Sequence, residues 1–312
     1  MSDPEISVVM PCYNAAPHLP ATLASVQAQT WRRWELIIVD DGSTDETPAI
    51  LAAAAEEDAR IRVARVRNGG PSRARNLGAL GLARGGIIAF LDADDLCRPH
   101  RLERLAQRFA ARPDCAAFYG RVRFFRTDPD RPDTTSMIRR HPLDASVLLG
   151  ENPVCTTSNL AIRRDVLRRI GGFDERLVHH EDVDLLLRLV AAEACIEGID
   201  EVLVDYRTCD GGLSADLEAM RLGWRQTLEH AAKRAPIDRA TGRRAEAIHL
   251  RYLARRALRM QSDPRLARRL ALQGLRRSPR AFFDIPRRGA LTLGGSLLAP
   301  LLPAGLRRRL FA

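Results

Sequence analysis

Three carboxylates crowd one short stretch of the chain. Asp92-Ala93-Asp94-Asp95 follows the apolar run Ile87-Ile88-Ala89-Phe90-Leu91. Carboxylates at the end of a buried run cost free energy unless a cation sits among them. Hard oxygen donors at this spacing suit Mg²⁺ or Mn²⁺, usually shared with a diphosphate. An extended DxD would turn Asp92 and Asp94 to the same side, with Ala93 between them. Taken alone, a DxD is more often an acidic turn, because Asp is a common turn residue.

Other candidates repeat the pattern of polar groups at the end of an apolar run. Asp40-Asp41 ends Trp34 to Val39, and carboxylates there can accept from a base N–H or a ribose hydroxyl. The following Ser43 to Glu46 supply helix N-cap chemistry and leave Asp40 and Asp41 unexplained. Pro11-Cys12-Tyr13-Asn14 ends the run Ile6 to Met10; Tyr13 offers a ring for stacking and Asn14 offers turn chemistry. Arg73 and Arg75 stand near the start of a helix, where the dipole disfavours cations. A neighbouring anion such as a diphosphate would remove that penalty. Glu181-Asp182 opens the apolar helical stretch 183–190. The dipole favours acids there and keeps a carboxylate ionised, as a general base requires. His179 and His180 beside them read more simply as polar surface.

The elements that must position these groups alternate regularly. Strands are expected over 6–10, 34–39, 61–66 and 87–91, with helices over 18–30, 47–57 and 72–83 between them. That order implies an α/β fold with a mostly parallel sheet flanked by helices. Ligands of such sheets bind at the carboxyl ends of the strands, where the candidates lie. No GxGxxG follows the first strand and no GxxxxGK[ST] occurs, so dinucleotide and P-loop fingerprints are absent. Further on, the pattern predicts a helix over 99–111, strands over 115–125, 156–162 and 201–207, and a long structureless loop over 126–140.

Four segments in this order, VVMPCYNA, WELIIVDDGSTDET, GGPSRARNLGALGLARGGIIAFLDADD and TSNLAIRRDVLRRIGGFDERLVHHEDVDLLLRL, resemble the family 2 glycosyltransferases. The resemblance covers about residues 5–215. It implies a GT-A domain over 1–215 that moves a sugar, with inversion, from a nucleotide-diphospho-sugar (a UDP-sugar) to an acceptor hydroxyl. Cell-surface polysaccharide or glycolipid synthesis is the expected setting, and Mg²⁺ or Mn²⁺ the expected cofactor. Pro11 and Tyr13 match positions that line the base, with Asn14 beside them. Asp41 matches the carboxylate that holds uracil, and Asp40 lies next to it. Arg75 matches the arginine of the ARN signature. Asp92 matches the first DxD carboxylate, near the ribose and the metal's water shell, and Asp94 the metal ligand. Asp182 matches the general base of the ED motif, with Glu181 as its neighbour. Tyr206, Arg207 and Ser214 match a YR followed by a serine. The usual His between them is replaced by Thr208-Cys209-Asp210-Gly211-Gly212-Leu213, which puts the contribution of Arg207 and Ser214 in question.

Composition sets the remaining bounds. The 312 residues carry a formal charge of +10, yet residues 216–312 alone hold 22 Lys+Arg against 7 Asp+Glu, a net of +15. Such asymmetry points to an electrostatic partner for the helical, Arg-rich tail 216–312. Its terminal stretch Ala290 to Leu306 is apolar but broken by Gly294-Gly295, Pro300 and Pro303, which argues against a span. With arginines on both sides, 287–309 suits an interfacial segment on anionic lipid, or equally a piece packed on the globular body. The six scattered cysteines, with no CxxC and no leader before Ile6, lead us to expect reduced thiols in a cytoplasmic protein and no zinc site. Two rivals fit less well. A sugar nucleotidyltransferase needs a Gly-rich, Arg- or Lys-bearing loop after the first strand, which PCYNAAPHL lacks. A nucleic-acid binder would interleave aromatics with its arginines; aromatics are 5% of this chain, so no nucleic acid is expected.

Overall fold

The computed structural model describes residues 4–139, 143–177, 180–208, 217–232, 237–260 and 263–311. The chain divides into two compact units, Met1–Pro142 with Pro153–Gly212, and Leu143–Asn152 with Leu213–Ala312.

The first unit opens as a repeating strand–helix chain: β1 (Ile6–Cys12), α1 (Leu19–Gln27), β2 (Trp34–Asp40), α2 (Thr47–Glu57), β3 (Ile61–Arg65), α3 (Pro71–Asn76) and β4 (Ile87–Phe90). These four strands are parallel, in the order β3-β2-β1-β4. Every residue of β2 and β4 is buried, which explains their continuous rather than alternating hydrophobicity. β3 is the edge, and it keeps Arg62 and Arg65 among its apolar residues. A π-helical turn, Leu77–Leu82, extends α3, a form often found beside functional sites.

Beyond β4 the sheet is mixed. β5 (Leu96–Cys97), α4 (Arg101–Ala111), β6 (Cys115–Phe125) and β7 (Thr134–Thr135) come next. α5 (Ala145–Gly150) belongs to the second unit. The first resumes with β8 (Leu160–Arg163), α6 (Arg164–Arg169), α7 (Glu181–Ala191) and β9 (Cys195–Arg207). β8 runs antiparallel between β4 and β6, whereas β6 and β9 are parallel. The parallel expectation therefore describes the first four strands. Several boundaries differ from the sequence pattern, three of them by a whole element or turn. The loop expected over 126–140 contains β7, which pairs with β6. The strand expected from 156 is a 3₁₀ turn, Thr157–Asn159, before β8 begins. β9 starts at Cys195 because the partly buried Cys195–Gly198 has β6 to pair with.

The second unit is helical: α5, α8 (Leu217–Ala232), α9 (Arg239–Arg259), α10 (Pro264–Arg277), α11 (Pro279–Phe282), α12 (Pro286–Leu298) and α13 (Ala304–Phe311). Leu253, Ala254, Leu270, Ala271 and Phe282 lie in its core. Beside that core sits a buried ionic knot. Glu151 accepts from Arg288 at 3.0 Å and Arg255 at 3.2 Å, and pairs with Arg251 at 3.4 Å; Arg251 also pairs with Asp284. Burial opposes ionisation of Glu151, yet Arg255, Arg288 and Arg251 together hold it below the usual carboxylate range.

Candidate active site

β1 outruns its neighbour β4, which pairs with it only over Ile6–Val9. Pro11 stands in the overhang, on the side where β4 has ended and no partner needs the amide it lacks. Tyr13 follows, 52% exposed and free to present a ring face to a ligand. Asn14 adopts a left-handed conformation (φ 47°) and stitches two loops together. Its amide donates to Ser43 Oγ at 3.0 Å, and its Oδ1 accepts from the Thr44 amide at 2.8 Å.

The two acids at the end of β2 have separate duties. Buried Asp40 accepts from the Ser43 amide at 2.9 Å and pairs with Arg65 at 3.3 Å, so it shapes its own turn. Asp41 grips the next loop: its two oxygens accept from the amides of Gly69 and Gly70, each at 2.8 Å. Gly70 has φ 89° and begins α3 there, a conformation costly for any residue with a side chain. Asp41 thus reaches a ligand only with its remaining lone pairs.

Arg75 is the hub of the site. It is 5% exposed, and its guanidinium bonds Asp92 Oδ1 at 2.7 Å and Glu181 Oε1 at 3.0 Å. The expected anion beside this arginine is replaced by two carboxylates from separate parts of the chain. Its neighbour Asn76 exchanges hydrogen bonds with the backbone of Phe173, at 2.7 and 2.9 Å, and so fixes the turn before α7. The ARN signature marks Arg75 but carries no signal for this role of Asn76.

The Asp92–Asp95 stretch is a turn and not the extended segment expected. The Asp95 amide donates to the Asp92 carbonyl at 3.2 Å. The strand has already ended at Phe90, and Asp95 folds inward, fully buried, to accept from the Arg207 amide at 2.9 Å. Thr22 Oγ1 donates to the Ala93 carbonyl at 2.9 Å, and Ser158 Oγ accepts from the Asp92 amide at 3.0 Å. Buried Arg101 braces the same turn by donating to the carbonyls of Phe90 and Ser158. Arg207 Nε donates to the Asp94 carbonyl at 3.1 Å, with its guanidinium 4.6 Å above the Phe125 ring. Ser158, Arg101 and Thr22 carry no sequence signal of this role, because nothing in a helix pattern or a TSN run marks a side chain as aimed at another strand's end; Asp95, the third of the crowded carboxylates, carries none of its tie to Arg207.

Glu181 and Asp182 occupy the first turn of α7, after His180 in a left-handed conformation (φ 60°). Asp182 Oδ1 accepts from the Val183 amide at 2.8 Å. Burial, then the charge of Asp182, push Glu181 above its ordinary range against the pull of Arg75. Ser214 and His179 lie outside the described residues.

The donor set is one a hard divalent cation would suit. Burial and then the charge of Asp92 push Asp94 up, opposed by His18 and Arg207. Burial, Asp94 and Asp92 push Asp95 well above the carboxylate range. This corner is therefore short of positive charge. Asp92 and Asp94 could supply oxygen ligands and leave the other positions to phosphate and water, the usual arrangement for Mg²⁺. Elsewhere, Cys115, Cys195 and Glu197 have ligand atoms within 4.8 Å of one another, where the parallel strands β6 and β9 begin. Glu197 is taken by Arg112 at 2.5 Å, and burial pushes the Cys115 thiol up to about 12, which makes a poor metal ligand.

Residues 7–171 match the model of Glycosyl transferase family 2. The chain belongs to that family. Among the curated relatives of this family 2 member is the O-antigen biosynthesis protein RfbC of Myxococcus xanthus. It is 34% identical over 262 residues, 81% of this chain and 20% of that protein. The succinoglycan biosynthesis protein ExoO of Rhizobium meliloti is 43% identical over 105 residues, 34% of this chain and 30% of that protein. The chain thus spans less than a third of either relative. Among solved structures, S. aureus TarS 1–349 in complex with UDP-GlcNAc superposes with a TM-score of 0.61 at 17% identity, covering 95% of this chain and 92% of that one. The mannosyltransferase PcManGT of Pyrobaculum calidifontis, in complex with GDP-Man and Mn²⁺, gives 0.53 at 20% identity, covering 98% and 79%. The likeness is one of fold, and the fold is GT-A.

Proposed function

We propose that this family 2 member is an inverting, metal-assisted glycosyltransferase. Its donor is a UDP-sugar and its acceptor a hydroxyl of a cell-surface saccharide or glycolipid. The observation that carries the proposal is the Arg75 bridge, which joins the first DxD carboxylate to the start of the helix bearing Asp182. Its support from relatives is coarser. The TarS structure holds UDP-GlcNAc, PcManGT holds GDP-Man with Mn²⁺, and the names of RfbC and ExoO speak of O-antigen and succinoglycan synthesis.

In this reading Pro11 and Tyr13 take the base, with Asn14, Asp40 and Asp41 holding the loops around it. Asp92 and Asp94 would hold Mg²⁺ or Mn²⁺. When bound, the cation neutralises charge that builds on the departing diphosphate. Arg207 brings a second positive group to that turn. Asp182 takes the proton of the acceptor hydroxyl as its oxygen attacks the anomeric carbon from the face opposite the diphosphate. The bond to the diphosphate breaks as the new one forms, and the configuration inverts. Much of the acceleration comes from alignment.

The test is Asp182→Asn, assayed for sugar transfer and separately for Mn²⁺-dependent UDP binding. Transfer should fall about 10²- to 10⁴-fold, the usual weight of a general base, with UDP affinity kept. Loss of UDP binding, or retention of transfer, overturns the assigned role.

A further inference from the structure

Near the end of the second unit, α12 is folded with small residues inward. On α12, Gly289, Thr292 and Ser296 are buried, followed by Ala299 just beyond it. Leu291, Leu297, Leu298 and Leu301 stand 66%, 43%, 55% and 77% exposed. α13 adds exposed Leu306 and Leu310, while Phe311 turns in against Gly295 and Leu258. An amphipathic helix ordinarily buries its leucines. A row of them facing outward at helical spacing marks a surface made for a partner.

The charges around the row name the partner's chemistry. No Asp or Glu follows Asp284 in the sequence, whereas Arg287 precedes the row and Arg309 follows it. Both are exposed; by contrast Arg288 is spent on Glu151, and Arg307 donates to the carbonyls of Ala299 and Leu302. Apolar side chains rimmed by cations with no anion among them fit an interface between acyl chains and anionic headgroups. A second copy of the chain fits poorly, since a two-fold contact would bring like-charged rims together. A crossing is out of reach: α12 has 13 residues, about 20 Å at 1.5 Å per residue, against about 30 Å of hydrocarbon. Among the described residues no helix is long and apolar enough to span a membrane.

We infer that the outward face of α12 and α13 docks on an anionic lipid bilayer, with Leu291, Leu298 and Leu301 entering the headgroup–acyl boundary and Arg287 and Arg309 meeting lipid phosphates. The face is independent of the transfer chemistry, so each can fail alone.

The test is flotation of the full chain with vesicles of phosphatidylcholine, alone or with one third phosphatidylglycerol. The protein should float with the anionic vesicles only, and less so as salt rises toward about 1 M, where surface attraction is screened. Leu291→Asp/Leu298→Asp/Leu301→Asp should weaken binding about a hundredfold or more at an unchanged melting temperature. Arg287→Ala/Arg309→Ala should weaken it about tenfold to thirtyfold, at about 1 kcal/mol per arginine near the surface. Leu298→Trp, at an exposed position, should shift its emission to the blue on anionic vesicles. Absence of flotation, or flotation that the leucine variant retains, overturns the inference. So does a concentration-dependent dimer abolished by the leucine variant while vesicles are ignored, which would assign the face to a second copy.

Discussion

Arg75→Met should destabilise the first unit, and do so through charge. The replacement keeps an apolar stem near Phe173, whose ring lies 5.5 Å from the guanidinium carbon. What disappears is the cation between Asp92 and Glu181, held at 2.7 and 3.0 Å, whose side chains are only 26% and 16% exposed. Breaking a buried ion pair by removing one partner costs about 3–5 kcal/mol, because the other charge is left uncompensated. The partial exposure of Asp92 places the expectation near the lower figure. For a unit of this size, at about 2–4 °C per kcal/mol, the melting temperature should drop by about 6–12 °C.

The pH dependence separates this cause from simple loss of packing. Glu181 is already raised by burial and by Asp182, with Arg75 opposing. Without Arg75 it rises further. A carboxyl raised on folding contributes stability that is present below its unfolded value and lost as pH rises through the folded one. The deficit of the variant should therefore be full at about pH 7.5 and shrink toward about pH 5, as orphaned carboxylates regain protons. Scanning calorimetry of the full chain, with chelator present, measures both. Glu181→Gln placed on Arg75→Met should recover a large part of the loss. A deficit under about 1 kcal/mol, one indifferent to pH, or two substitutions that simply add would refute the reasoning.

Mn²⁺ should raise the melting temperature more at about pH 8 than at about pH 5. Asp94 is raised by burial and the charge of Asp92, and Asp95 by burial and the charges of Asp94 and Asp92, so metal-free stability is lost as pH climbs through their folded values and the cation offsets that loss; equal shifts at both pH values would contradict it. Glu151→Ala should cost the second unit about 3–5 kcal/mol by stranding Arg251, Arg255 and Arg288, seen as faster hydrogen exchange in α9 and α12. Because Glu151 is lowered, its contribution in the wild type is present above the ordinary carboxylate value and is lost as pH falls through the folded one. Asp41→Asn turns an N–H₂ toward the amide of Gly69 or Gly70; a lost acceptor of this kind costs about 1–3 kcal/mol, and KM for the sugar nucleotide should rise more than kcat falls. An unchanged KM would leave Asp41 without a part in donor binding.

The legible features were those written in local pattern. Three apolar runs, each closed by a polar cluster, mark the strands β1, β2 and β4, the weakly alternating stretch 61–66 marks β3, and the helix expected over 47–57 matches α2. Long-range reversals left no local trace. Nothing in Leu160–Arg163 says that β8 runs antiparallel beside β4, since a buried strand is apolar whichever way it points. Side chains that act across the fold were also hidden. Arg101 reads as the polar face of an amphipathic helix, yet it is buried and braces Phe90 and Ser158. Asp95 reads as one more loop acid, yet it ties the DxD turn to the end of β9.

The environments of the two DxD acids favour different tasks for them. Asp92 already shares an oxygen with Arg75, so much of its charge is met before any ligand arrives. Asp94 faces burial and the charge of Asp92, opposed by a backbone hydrogen bond and the charges of His18 and Arg207, and it stays raised. A divalent ion entering the corner gains most where charge is least compensated, which favours Asp94 as its principal ligand and leaves Asp92 to hold geometry through Arg75. Asp94→Asn should then abolish the stabilisation by Mn²⁺. Asp92→Asn, which keeps an acceptor for Arg75, should retain a reduced Mn²⁺ response and lose its accurate placement relative to α7. If the two variants respond alike to Mn²⁺, the division of labour is wrong and the pair must be treated as one bidentate site.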